Sequence, residues 1–317
     1  EVSSSNNSVL VTDGGTWTDS GDLYVGLEGS GNSLVISNGG MVQNNAGVIG
    51  EDTNALNNSV LVTGAASTWT NSGALTIAQR GSGTLTVASG GSVASSGITI
   101  ASSNTATGTL NIGRFGTNDT GGTIIAPTIA FGSGTGAINF NQSNAVTITS
   151  AISGNGVVNQ LGTGTTTLSG ANTYTRGTVV SAGSLVGTTT SLQGAITNNA
   201  AVTFDQSTDG TYSGAMSGSG SLSKTGIGRL SLSGSSSYNG ATAVSAGDLN
   251  LSGGSIANSA VTVASGASLS GYGSVGTIGG AGAINPGNSP GILTTPQVNP
   301  SGGTDFNLEM TGTAPTY

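Results

Sequence analysis

The chain has 317 residues, only 6% of them charged, with a formal net charge of −8 and a sequence pI near 4.1. It has no cysteine and no histidine, which removes a disulfide framework, a thiol nucleophile, a histidine base and the usual zinc ligands. The basic residues Arg80, Arg114, Arg176, Lys224 and Arg229 are too scattered to hold a phosphate backbone or an anionic membrane surface, so no nucleic acid is expected as a partner.

The 57 glycines, with abundant Ser, Thr, Asn and Ala, are unlike an ordinary globular domain. Disordered chains combine low hydrophobicity with high charge. Here the hydrophobic fraction is 34% and the mean hydropathy is +0.10, which points to ordered, repetitive β structure. No apolar run approaches the ~20 residues of a membrane-spanning helix, so no transmembrane segment is expected in this chain. Glu1 leads directly into repeat-like sequence without a signal-peptide pattern, as expected of a mature or excised segment.

Residues 6–40, NNSVLVTDGGTWTDSGDLYVGLEGSGNSLVISNGG, recur as residues 57–91, NNSVLVTGAASTWTNSGALTIAQRGSGTLTVASGG. The offset is 51 at both ends and 52 in the middle. Repeats at this scale indicate a solenoid. Within each copy, runs such as Val9-Leu10-Val11 and Leu34-Val35-Ile36 read as strands of about 3–6 residues broken by Gly, Asn and Asp corners. No amphipathic-helix pattern appears, and very low helix content is expected. Trp17 and Trp69 recur at equivalent places and read as packing staples. From residue 95 to 136 the repeat degenerates while its texture persists, and Pro127 marks a corner or edge.

A second repeat follows. Residues 137–187 superpose on residues 201–251 at an offset of 64, matching Phe140 to Phe204, Gln160 to Lys224 and Tyr174 to Tyr238. One corner slips, with Gly177 facing Ala241 and the nearest glycine at Gly240. A coil of roughly 20–22 residues would make 64 residues about three coils, while 51–52 fits less neatly. Pro286, Pro290, Pro296, Pro300 and Pro315 change the turn chemistry of the tail. The expected organisation is N-terminal solenoid repeats over residues 1–136, a solenoid with the paired repeats over 137–270, and a Pro/Gly-rich continuation over 271–317.

The second copy runs GSGSLSKTGIGRLSLSG from Gly218 to Gly234, continuing with Tyr238, Thr242, Val244, Ala246, Gly247 and Leu249. This resembles the autotransporter-associated β-strand repeats of Gram-negative passenger proteins. The first copy departs from that pattern at Gln160, where Lys224 stands in the second. The tail segment GYGSVGTIGGAGAINPGNSPGIL, residues 271–293, is similar to a glycine-rich segment near the end of such passengers, in which further strands and often an outer-membrane barrel come later. Ending at Tyr317 therefore reads as a truncation.

The fold expected is all-β: a right-handed parallel β-helix, or β-solenoid. The resemblance implies an extracellular or cell-surface location on a Gram-negative bacterium, and a structural role as an adhesin-like or fibre-forming passenger. Partners would be further copies in a homo-oligomer or filament, a host or bacterial surface, or a glycan. Biofilm settings suit such a protein. The alternatives are a β-helical polysaccharide-degrading enzyme and a passive stalk. An enzyme of that kind needs two carboxylates at a set separation, one with a raised pKa. The closest pairs are Asp205 with Asp209, Asp19 with Asp22, and Glu51 with Asp52. They read as solvated loop residues, and Lys224 as an exposed lysine. The run from Gly116 to Gly122 reads as a plain turn and not as a calcium loop. No enzyme activity, catalytic residue, metal or cofactor is assigned.

Overall fold

The computed structural model describes residues 4–287 and 291–306. Pro290, Pro315 and the centre of the tail's P-G-N-S-P-G segment lie outside those residues. The chain forms two compact units, residues 1–184 and 185–317. Among the described residues there are strands and turns but no helix, and every pairing between named strands whose register is resolved is parallel. The fold is an all-β parallel solenoid.

In unit 1 the chain makes one strand on each of three faces per coil. The first coil contributes Ser8–Val11, Thr16–Thr18 and Leu23–Val25. The second contributes Ser33–Ile36, Met41–Asn44 and Gly47–Ile49. Successive side chains on a strand point to opposite sides, and Asn58–Thr63 accordingly alternates between buried and half-buried residues. The inward residues stack on like residues one coil away. One column runs Val9, Leu34, Val60, Leu85, Leu110, Ile138 and Val158. Each fully buried aliphatic side chain removes enough surface from water to contribute about 1.5–3 kcal/mol, so this narrow column is the core.

The coil length explains the repeat that the sequence left awkward. Ser8 lies opposite Ser33, and Ser33 opposite Ser59, so a spacing of 51 is two coils of 25 and 26 residues. The extra residue in the middle of the second copy lies in a turn. Thr12-Asp13-Gly14-Gly15 joins two strands in the first copy, where Thr63-Gly64-Ala65-Ala66-Ser67 does so in the second. Trp17 and Trp69 are thus two coils apart, with Val42 stacked between them. Trp69 is completely buried and donates its indole Nε1–H to Asn44 Oδ1 at 2.7 Å. Pro127 lies at a corner, between Thr123–Ile125 and Thr128–Phe140.

Unit 2 uses shorter coils. Ala201 faces Ser221 and Leu222 faces Thr242, a spacing of 20 residues, and Gly210 faces Leu230 on the adjacent face at the same spacing. Ala145 and Thr165, near the end of unit 1, already show it. The 64-residue period is therefore a little more than three coils. Tyr174 and Tyr238 are both buried staples, and each phenol hydrogen bonds to the hydroxyl four residues on. The distances are 2.8 Å to Thr178 and 2.6 Å to Thr242.

Candidate interaction surface

Each residue of the acidic pairs has its own hydrogen-bond or ion-pair partner. Asp205 accepts from Thr225 Oγ1 at 2.9 Å, and Asp209 accepts from the Arg229 backbone N–H at 2.8 Å. Asp19 accepts from the Gly21 N–H at 2.9 Å in a local turn, while Asp22 caps the next coil through Asn45 Nδ2 at 2.8 Å and the Ala46 N–H at 3.1 Å. Glu51 and Asp52 both face Arg80, at 2.9 and 3.4 Å. The Asn54 N–H, helped by the Thr53 hydroxyl, holds the Asp52 carboxyl below its ordinary range, the direction opposite to that of a general acid. In the 116–122 turn, Asp119 is gripped by Arg114 through Nε and Nη2, and that contact lowers its pKa.

Lys224 corrects the sequence expectation. It is not exposed but completely buried, in a column between Phe204 and Val244. Its ammonium donates to three backbone carbonyls, Thr225 and Gly226 at 2.7 Å and Ala246 at 3.1 Å. Desolvation lowers its pKa, opposed by the charges of Asp248, Asp205 and Asp209. Its counterpart Gln160 occupies the same kind of place in unit 1, between Phe140 and Val180. There Nε2 donates to the Gly162 and Gly164 carbonyls at 2.8 and 3.2 Å, and Oε1 accepts from Thr166 at 2.6 Å. Both side chains satisfy the carbonyls of a tight corner from within the core, where unpaired acceptors are costly. The signal was in the alignment: two polar residues at an inward position of an otherwise apolar column.

The slipped corner has a physical cause as well. Gly177 has φ of +77°, a conformation that side chains disfavour. Gly240 instead lies against the preceding coil, where an added Cβ would fall 2.1 Å from the Gly220 carbonyl oxygen.

Two surfaces of unit 1 remain as sites for contacts. The first is a polar ladder along one face, Thr86, Asn111, Asn139 and Asn159, in register one coil apart. Asn159 donates to Asn139 at 2.8 Å, Asn139 to Asn111 at 3.0 Å, and Asn111 to Thr86 at 3.3 Å. The ladder is half-buried and uncharged. The second is the first coil, where a concavity of about 570 Å³ is lined by Val9, Trp17, Leu23, Val25 and Leu34, with Tyr24 and Leu27 at its side. Val9 is 41% exposed, although the next residue in its column, Leu34, is 2% exposed. The sequence does not show that the first coil opens into an apolar mouth.

These features define a parallel β-solenoid whose surface is built from uncharged ladders and corner turns. Residues 158–186 and 222–251 match the family model described as passenger-associated-transport-repeat. The chain carries two autotransporter-passenger repeats, and such repeats imply secretion to the cell surface or extracellular space. No curated protein matches the chain. Among the described residues, no helix is long and apolar enough to cross a membrane.

Proposed function

We propose that this chain is a non-enzymatic structural passenger on the surface of a Gram-negative bacterium, adhesin-like or fibre-forming, which acts by many weak polar contacts along its coils. The observation that carries this reading is the ladder from Thr86 to Asn159. Its side chains repeat at the strand spacing of about 4.8 Å and bond mainly to one another, as stacked Asn side chains do in self-assembling β structure. The engagement of each acidic pair by neighbouring hydrogen-bond donors or an arginine supports a scaffold over a glycan-cleaving enzyme. The test is retention of protein-coated beads on bacterial and host-cell surfaces, with electron microscopy of the free protein for fibres. Replacing Asn111 and Asn139 by serine lowers retention or fibre yield while the β signal in circular dichroism stays. Cleavage of a panel of polysaccharides, lost in the Asp205→Asn, Asp209→Asn double variant, would overturn the reading.

A further inference from the structure

An asparagine followed by glycine can modify itself, because no side chain on the second residue shields its backbone nitrogen from the asparagine amide carbon. The chain has three such pairs, Asn38-Gly39, Asn155-Gly156 and Asn239-Gly240. Two are restrained. Asn38 and Gly39, with φ of +47° and +78°, form a tight turn closed by the Gly40 N–H on the Ser37 carbonyl at 2.8 Å, and the Gly39 N–H itself donates to Ser67 Oγ at 3.0 Å. Asn155 and Gly156 lie inside the strand Ala151–Gln160, with Gly156 in register with Gly136, and Asn155 Oδ1 accepts from Thr175 Oγ1 at 3.4 Å. Asn239 lies in neither a strand nor a tight turn. It is exposed, and among the described residues neither its side-chain amide nor the Gly240 N–H has a hydrogen-bond partner.

We infer that Asn239 is a self-deamidation site built into the slipped corner of unit 2. The Gly240 nitrogen attacks Asn239 Cγ, the new C–N bond closes a five-membered succinimide, and the side-chain nitrogen leaves as ammonia with the proton that Gly240 gives up. Water then opens the ring at either carbonyl, leaving aspartate or isoaspartate, and isoaspartate has one more carbon in the main chain. The reaction needs only water. In the first repeat the corresponding glycine follows Arg176, so that corner lacks the chemistry. The product falls where the corner has no slack. A run of hydroxyls clamps it, Tyr238 to Thr242 at 2.6 Å, Thr242 to Ser259 at 2.7 Å, and Ser259 Oγ to the Gly240 carbonyl at 2.6 Å. Gly240 also packs so closely on the preceding coil that an added Cβ would meet the Gly220 carbonyl oxygen. A main chain one carbon longer does not fit that clamp, so isoaspartate at 239 opens the corner from Tyr238 to Thr242. The inference goes beyond the proposed function and does not rest on it.

The test holds the whole folded chain at mildly alkaline pH, which favours the attacking amide anion, and samples it over time. Peptide mapping by mass spectrometry and methylation by an isoaspartate-specific methyltransferase report the product. Asn239 converts at least about tenfold faster than Asn38, the rate equivalent of breaking one hydrogen bond to free the attacking nitrogen, and it converts ahead of Asn155. Hydrogen exchange at 238–242 quickens as isoaspartate accumulates, while 58–63 stays protected. Asn239→Gln, which would have to close a six-membered ring, loses both changes. Freshly prepared Asn239→Asp carries the charge without the longer main chain and exchanges at 238–242 like the parent. Conversion of Asn38 or Asn155 as fast as Asn239 overturns the inference, as does a chain that converts at Asn239 only when unfolded in urea. So does isoaspartate at 239 with unchanged exchange, or a fresh Asn239→Asp chain already as open as the aged parent.

Discussion

Replacing Lys224 by methionine keeps the stem of the side chain and removes every donor from its cradle. The Thr225 carbonyl still receives the Gln206 N–H at 3.0 Å, so the loss falls mainly on Gly226 and Ala246. An unsatisfied buried acceptor costs about 1–3 kcal/mol, and two give roughly 2–6 kcal/mol. Removing a desolvated charge returns part of that, so we expect Lys224→Met to destabilise unit 2 by about 2–4 kcal/mol. Lys224→Gln is expected to cost about 1 kcal/mol or less, because Gln160 in unit 1 donates to the Gly162 carbonyl, the counterpart of Gly226, and to a second corner carbonyl, that of Gly164. The assay is urea unfolding followed by circular dichroism, with hydrogen exchange at residues 221–232 to localise the change, since coils of a solenoid can unfold separately. A methionine variant as stable as the parent would refute the reasoning, as would a glutamine variant no better than methionine.

Alkaline unfolding isolates the same group. Lys224 binds its proton less tightly in the folded chain, so its destabilising effect is full below its folded pKa and fades as pH rises through it toward the ordinary 10.5. Burial raises the pKa of the Tyr238 phenol above 10.0, so its contribution is full below that value and is lost as pH rises through the folded pKa. Between pH 8 and 11, the stability of the parent minus that of Lys224→Gln therefore rises, which paired denaturation curves check. The Asp119 carboxyl, lowered mainly by its hydrogen bond from Arg114, stabilises above its ordinary 3.8 and loses that effect as pH falls through its folded pKa. In Arg114→Ala its NMR titration moves up toward 3.8, while global stability changes by less than about 1 kcal/mol because the pair is partly exposed. Gly240→Ala meets the Gly220 backbone and is expected to cost about 3 kcal/mol. Gly266→Ala, at φ of +82° with open space around it, costs about 1 kcal/mol of backbone strain, and thermal melts separate the two.

Alternation of the kind in Asn58–Thr63 and glycine at the corners made the parallel solenoid legible, because both are local. Coil length was less so. A turn tolerates an added residue, as Gly64–Ser67 does, so repeat spacing alone does not give the number of residues per coil. The 25–26-residue coil appears only when Ser8, Ser33 and Ser59 are seen in register. Burial of Lys224 depends on carbonyls that the corner turns inward, and no residue type announces those. The mouth at Val9 was hidden for the opposite reason: its sequence is that of a covered coil.

The central claim is the register, a spacing of 25 residues from Thr84 to Thr109 in unit 1 and of 20 from Ser223 to Ala243 in unit 2, and the absence of native cysteine makes it directly measurable. Facing residues of adjacent strands have Cα atoms about 4.8 Å apart, within the range a disulfide spans. Thr84→Cys with Thr109→Cys, and Ser223→Cys with Ala243→Cys, are predicted to form near-quantitative disulfides under mild oxidation. Thr84→Cys with Asn104→Cys, spaced as in unit 2, is predicted to form none. Efficient cross-linking of that off-register pair, with failure of the Thr84 and Thr109 pair, would contradict the account.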